Sequence, residues 1–348
     1  MGNPVMVEVL RGSSVESAHC GALAVVDADG AVLLALGDVE RPVFPRSAVK
    51  VLQALPLVAS GAADALQLTD EELALACASH NGEPRHTAAA AAMLAKAGLD
   101  AQALECGAHW PMHDAASREL AAHGGQPTAL HNNCSGKHAG FVCLGHALSG
   151  GPGLGRFVEG YVQPGHAVMQ EVTAALATAT GVDLAHAPRG IDGCSIPTFA
   201  VALRPLAQGF ARVGTGQGLN TAHAQAALRL RRAVAAAPFM VAGTGRFDTR
   251  VMERLGERVF CKVGAEGVYC AALPERGLGV ALKIDDGATA RAAEVVMAAV
   301  VEALVTLDLA DAGFMRALAE PVLRNWNGIE VGALRPSAAL RDALARAA

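Results

Sequence analysis

The sequence predicts an α/β sandwich whose sheet is built from both ends of the chain and whose middle lobe is mainly helical. Three observations predict it. Short β-compatible apolar runs open the chain, similar runs return at 259–284, and the stretch between has helical composition broken by Gly, Pro and Asn clusters. One sheet with helices on both faces would bring the two ends together. The expected lobes are a sheet lobe at about 1–58 plus 240–310, a helical lobe at about 59–239, and a C-terminal extension at 311–348, within a single unit of 1–348.

Taken in order, 5–10, 22–27 and 31–36 read as strands, with Asp29-Gly30 as a hairpin turn. Pro45 precedes Ser47, and Val49, Leu52 and Leu55 follow at helical spacing until Pro56, so Ser47 is expected in the first turn of a helix. Residues 69–78, 86–97, 115–123, 164–180 and 221–236 read as helices. The strand pattern resumes at 259–263, 267–272 and 278–284 and gives way to a helix at about 288–307.

A chain of 348 residues with 52% hydrophobic and 18% charged residues buries a large core and is not disordered. A net charge of -5 without a basic run argues against a nucleic-acid partner. The first dozen residues carry Glu8 and Arg11 and lack the apolar core of a secretory signal, so a cytoplasmic protein is expected. The most apolar stretch, 292–309, contains Glu294, Glu302 and Asp308 and reads as a core helix, with no membrane association. Eight scattered cysteines are expected to be free thiols.

Only five of the 28 basic residues are lysines, so each invites a chemical question. Arginine does not give up its proton in a protein, whereas a desolvated lysine can and so can serve as a base. Ser47-x-x-Lys50, Ser79-x-Asn81 and Lys262-x-Gly264 occur in that order and look like the SxxK, SxN and KxG elements of serine hydrolases with a lysine base. Side chains three apart on a helix project from adjacent turns of one face, which makes Ser47 and Lys50 a nucleophile and base pair. A lysine base needs burial or a second cation, and Lys262 is the candidate cation. The reverse assignment, Ser79 with Lys262 as the working dyad, stays open. A helix N-terminus offering backbone donors to an oxyanion favours Ser47.

Two further segments are too rich in polar and small residues for simple core: His131-Asn-Asn-Cys134-Ser-Gly-Lys137-His138-Ala-Gly140 and Gly190-Ile-Asp192-Gly-Cys194-Ser-Ile-Pro197. Thiolates of Cys134 and Cys194, joined by His138, His131 or a neutral Lys137, can bind zinc tetrahedrally with an open fourth position, and Asp192 can orient a ligand or water. Buried free cysteines in two glycine-rich turns are the plainer reading.

Pro45-Arg46-Ser47-x-x-Lys50, Ser79-His80-Asn81-Gly82, His131 to His138, Asp192-Gly193-Cys194 and Lys262-x-Gly264-Ala265-Glu266-Gly267 together resemble the rhizobial-type L-asparaginase (asparaginase II) family, over about 8–305. The resemblance implies a β-lactamase-like, penicillin-binding-like fold, a homodimer, and hydrolysis of L-asparagine to L-aspartate and ammonia. It implies tandem pairs, Ser47 with Lys50 and Ser79 with Lys262, and a zinc site of Cys134, Lys137 and Cys194 with Asp192 beside it. Candidate substrate contacts are Arg46 or Arg246 on the α-carboxylate, Asn81, His138, and the backbone at Gly264 as oxyanion donor. An SxxK esterase or peptidase that recognises β-lactams, and a non-catalytic amide-binding protein on the same fold, are the competing readings.

Overall fold

The computed structural model describes residues 2–150 and 153–348, and the chain divides into a sheet unit and a helical unit. The sheet unit takes in the segment up to Ala48, Ala200–Gln217 and Cys261–Ala348. Its sheet runs Phe260–Val263, Val268–Leu273, Leu278–Ile284, Ser14–Asp27, Val5–Arg11, Glu330–Pro336 and Val322–Arg324, with Val32–Leu36 also paired to Ser14–Asp27. The long strand changes neighbours partway. Its exposed, polar first half lies beside Val5–Arg11, and its buried apolar second half lies beside Leu278–Ile284 and Val32–Leu36, all antiparallel. Leu278–Ile284 is buried at every position except Lys283, so both its faces are covered.

One cover is the helix Leu203–Thr215, which packs on the strands at 14–27, 268–273 and 278–284. Gly279 makes this close approach possible: a Cβ there would run into the carbonyl oxygen of Ala207 and the amide of Ala211. The helix Glu294–Leu304 packs on Val5–Arg11, Glu330–Pro336 and the helices Leu309–Ala319 and Ala338–Ala347.

The helical unit comprises Val49–Phe199 and Gly218–Phe260. At its centre the helix Lys50–Ala59, buried from Lys50 through Leu57, packs on Ala167–Thr180, Thr221–Ala236 and Ser135–Ser149. Each of its leucines contributes about 1.5–3 kcal/mol by leaving water. Asp70–Ala76 starts with a capping box in which Thr69 and Glu72 satisfy each other's backbone amides. Ser135–Ser149 is buried from Ser135 to Gly145, and Gly136 lets it press against the Leu75 backbone. A small antiparallel hairpin, Arg189–Ile191 with Pro197–Phe199, carries the turn that holds Asp192 and Cys194.

Set beside the sequence expectations, the sheet unit is larger at the C-terminus and takes one helix from the middle of the chain. Residues 311–348 add two strands, the helix Ala338–Ala347 and most of the helix Leu309–Ala319 to it. Pro56, expected to end its helix, lies inside Lys50–Ala59, and its carbonyl still accepts from Ser60 N at 3.0 Å. Among the described residues no helix is long and apolar enough to cross a membrane. All eight cysteines are free thiols.

Candidate active site

Lys50 opens the central helix directly after a 3₁₀ turn, Arg46–Val49. It is only 1% exposed, and its Nζ donates to Ala78 O at 2.5 Å, Ser79 Oγ at 2.8 Å and Cys134 Sγ at 3.1 Å, with Asn133 O at 3.5 Å. Ser79 is brought there by an extended segment laid along 241–242: Ser79 N donates to Val241 O and Asn81 N to Ala242 O, both at 2.9 Å. His80 fastens the next loop, its amide on Asn133 O at 3.2 Å and its Nε2 against Ser135 Oγ at 3.0 Å. Cys134 precedes the helix Ser135–Ser149, with its own amide bonded to Asn132 Oδ1 at 2.8 Å.

The second thiol comes from the hairpin turn, where Asp192 N donates to Ile196 O at 2.8 Å and Ser195 takes a left-handed φ of 77°. Lys137 Nζ donates to Cys194 Sγ at 2.9 Å, and Cys194 Sγ donates to Asp192 Oδ2 at 3.3 Å. The neighbouring Cys194 sulfur draws the Cys134 thiol well below its ordinary pKa, against burial and helped by the charges of Lys50 and Lys137. The Cys134 sulfur and burial push Cys194 up instead. Burial works against the Lys137 charge, but Cys194, Cys134 and Asp192 outweigh it and hold the amine protonated.

Among the described residues no three His, Cys, Asp or Glu side chains gather closely enough to hold a metal. A metal here would therefore use Lys137 beside the two sulfurs. The two sulfurs are ordinary zinc donors, whereas Lys137, 2.9 Å from Cys194 Sγ, would ligate only after losing the proton that its surroundings now hold. Of the two histidines considered at this place, each has Nδ1 engaged elsewhere, while the buried Nε2 of His138 has no hydrogen-bond partner among the described residues. His131 Nδ1 accepts from Thr128 N at 3.0 Å. His138 is fully buried, with Nδ1 2.6 Å from Tyr161 Oη, and Tyr161 Oη in turn accepts from Glu105 N at 3.0 Å. Burial, then Lys137 and Lys50, keep His138 neutral.

Arg246 and Asn81 meet in the same unit, Arg246 Nη1 donating to Asn81 Oδ1 at 3.1 Å. Sequence reasoning missed the residues around them: Glu83 and Thr244 bracket Asn81, and Met112 N and His113 N both donate to Asn81 O, at 2.8 and 3.2 Å. The available signal was Glu83 itself, an acidic residue directly after the Ser79-His80-Asn81-Gly82 run and before Pro84.

In the sheet unit, Ser47 is half-buried in the 3₁₀ turn, behind Arg46 at a left-handed φ of 51°. Ala48 N closes this turn on Pro45 O at 3.1 Å. Gly264 admits the same carbonyl, because a Cβ there would lie 2.6 Å from Pro45 O. The Gly264 amide, expected as an oxyanion donor, donates to Val268 O at 2.8 Å, so this N–H is already engaged within the sheet unit. Lys262 is fully buried, with Nζ on Val263 O at 2.9 Å.

A family model described as L-asparaginase II matches residues 7–336. The chain belongs to the L-asparaginase II family. No curated protein matches the chain. Solved structures similar to this L-asparaginase II family chain include Mglu, at 15% identity and TM-score 0.35 over 78% of this chain and 64% of that one. Mglu in its tris and glutamate form gives 15% and 0.35 over 84% and 61%. A β-lactamase from Mycobacterium bovis gives 16% and 0.35 over 79% and 90%. The chain thus spans less than two thirds of the length of Mglu.

Proposed function

We propose that this chain hydrolyses the side-chain amide of L-asparagine, giving L-aspartate and ammonia through a serine ester. The observation that carries the reading is the Lys50 amine set 2.8 Å from the Ser79 hydroxyl in a buried polar cluster, in a chain of an L-asparaginase family. Ser47 Oγ bonds to the amide carbon while Lys50, in its neutral form, takes the hydroxyl proton. The oxyanion is held by backbone amides at the start of the helical turn, that of Ser47 first. As the C–N bond breaks, the proton passes from Lys50 to Ser79 Oγ, whose own proton goes to the departing nitrogen, and ammonia leaves. Water then attacks the ester while Lys50 takes its proton, and Lys50 hands that proton to Ser47 Oγ as the C–O bond breaks, restoring both groups. Arg246 receives the substrate α-carboxylate.

The same 2.8 Å contact supports a second reading in which Ser79 is the acylated serine and Lys50 its direct base. Lys262 then belongs to the tandem arrangement as the second amine. A zinc ion would be held by Cys134, Lys137 and Cys194, with Asp192 beside it. When bound it supplies a fixed positive charge that helps orient the substrate. The proposed working form is a cytoplasmic homodimer.

The test is ammonia release from L-asparagine by the parent, Ser47→Ala and Ser79→Ala, with and without a chelator, beside hydrolysis of a chromogenic cephalosporin. The expected result is release by the parent, and losses of about 10²-fold or more in both variants. Mass spectrometry of acid-quenched enzyme is expected to find the acyl group on Ser47; finding it on Ser79 selects the second reading. Cephalosporin turnover without ammonia release would sink the amidohydrolase proposal.

A further inference from the structure

We infer that Glu83 is a positioning residue that, through Asn81 and Thr244, fixes the guanidinium of Arg246 for the α-carboxylate of the substrate. The inference rests on the amidohydrolase reading and extends it to a residue outside the motifs.

Glu83 is a buried carboxylate whose side-chain hydrogen bonds go to Thr244 and Asn81, with His113 Nδ1 3.9 Å from its Oε2. Its Oε1 accepts from Thr244 N at 2.8 Å and from Asn81 Nδ2 at 3.2 Å, and its Oε2 accepts from Thr244 Oγ1 at 2.6 Å. Asn81 Nδ2 also donates to Thr244 O at 3.2 Å. Both protons of the Asn81 amide are thereby directed toward Glu83 and Thr244, which leaves its Oδ1 turned to Arg246 Nη1 at 3.1 Å. The flip of Asn81 is set by this network, and the flip decides whether Arg246 meets an acceptor or a donor.

The backbone is shaped to the same end. Gly243 has φ of 108°, and a Cβ on it would collide with the Glu83 carboxylate and lie 2.8 Å from Asn81 Nδ2. Thr249 Oγ1 pins that turn by donating to Gly243 O at 2.8 Å. Burial works to raise the Glu83 pKa, but hydrogen bonds from the Thr244 side chain and backbone and from Asn81 outweigh it, so the carboxylate stays ionised. Arg246, the residue before the helix Phe247–Leu255, spends one N–H on Asn81. Its guanidinium carries five, so the remaining fork is available to an anionic group. A carboxylate on the far side of Asn81 holds that fork in place without neutralising it by a direct ion pair.

The experiment compares L-asparagine with 3-aminopropanamide, which is asparagine without its α-carboxylate, in the parent, Glu83→Ala, Glu83→Gln and Arg246→Ala. The selectivity for asparagine over 3-aminopropanamide, as a ratio of kcat/KM, is expected to fall about tenfold or more in Glu83→Ala, mainly through KM. Glu83→Gln, which keeps most of the hydrogen bonds, is expected to recover part of it. Glu83→Ala combined with Arg246→Ala is expected to be no less selective than Arg246→Ala alone. Equal losses on both substrates, or further loss of selectivity in the double variant, would overturn the inference. Calorimetric binding of L-aspartate against 3-aminopropanoate supplies a readout independent of turnover. If the parent releases no ammonia, the amidohydrolase reading fails, while a preference for L-aspartate that Glu83→Ala removes still upholds the Glu83 role. No such preference in the parent overturns that role too.

Discussion

Acid should loosen the floor of the site before it touches the carboxylates. His80 is fully buried, its ring 4.8 Å from that of His86 at an interplanar angle of 12°, and His86 stacks on Phe239 at 4.6 Å. Arg85 caps the column, 4.4 Å from the Phe239 centroid. In both histidines Nδ1 accepts from a backbone amide, Gly82 N at 3.1 Å and Glu83 N at 3.2 Å, so protonation there sets a proton against a proton. Burial, then His86, Lys50, His109 and His131, hold the His80 pKa well below its ordinary value of 6.5. Burial also lowers His86.

The sign follows from linkage. Below pH 6.5 the unfolded chain takes up a proton that folded His80 refuses, so its contribution is fully present above that pH and is lost as pH falls. One such group forfeits about 1.4 kcal/mol per pH unit, or about 2 kcal/mol between pH 6.5 and 5, and His86 adds a part. Urea midpoints from pH 7.5 to 5, read by circular dichroism, should therefore fall more steeply for the parent than for His80→Asn, whose Oδ1 can still receive Gly82 N. Parallel pH dependences in the two proteins would refute the reasoning.

Two further expectations concern packing. Gly279→Val drives a branched side chain into the Ala207 carbonyl and should lower stability by about 1–3 kcal/mol or more, read as a lower urea midpoint. Tyr161→Phe removes the hydroxyl that meets His138 Nδ1 and receives Glu105 N. It should cost about 1–3 kcal/mol by thermal or urea unfolding, because it leaves Nδ1 of the fully buried His138 without its partner.

The strands and amphipathic helices were legible because their apolar residues recur at a simple period. The helix Ser135–Ser149 was visible only as a polar turn leading inward: it is buried on nearly every side, and its glycines, which look like loop residues, are where Leu75 and Val158 press against it. Leu203–Thr215 was missed for a similar reason, since Pro205, Gly209 and Gly214 interrupt its pattern, and Gly214 lies against Ala272 and Pro274. The strands at 322–324 and 330–336 are short and partly polar, and tertiary pairing rather than local preference holds them. In the site, the chemical types were readable from the motifs, but the partners were not. Lys50 reaches Ser79 across 29 residues and Cys134 across 84, distances over which no local pattern informs. Glu83 escaped because its significance lies in how it turns Asn81, a property of geometry rather than composition.

The pairing of Val7 with Pro336 and of Val9 with Leu334 also sets a timetable for biosynthesis. One side of the opening strand has its hydrogen-bonding partner only after some 330 residues more have left the ribosome, a wait on the order of 20 to 60 s. The helical unit ends at Phe260, so its segments are all translated first. During that interval the first strand presents an open edge to other nascent chains. Ending the chain before Glu330 would remove that partner strand and prolong the exposure indefinitely, turning a truncation far from the lysines into a defect of solubility.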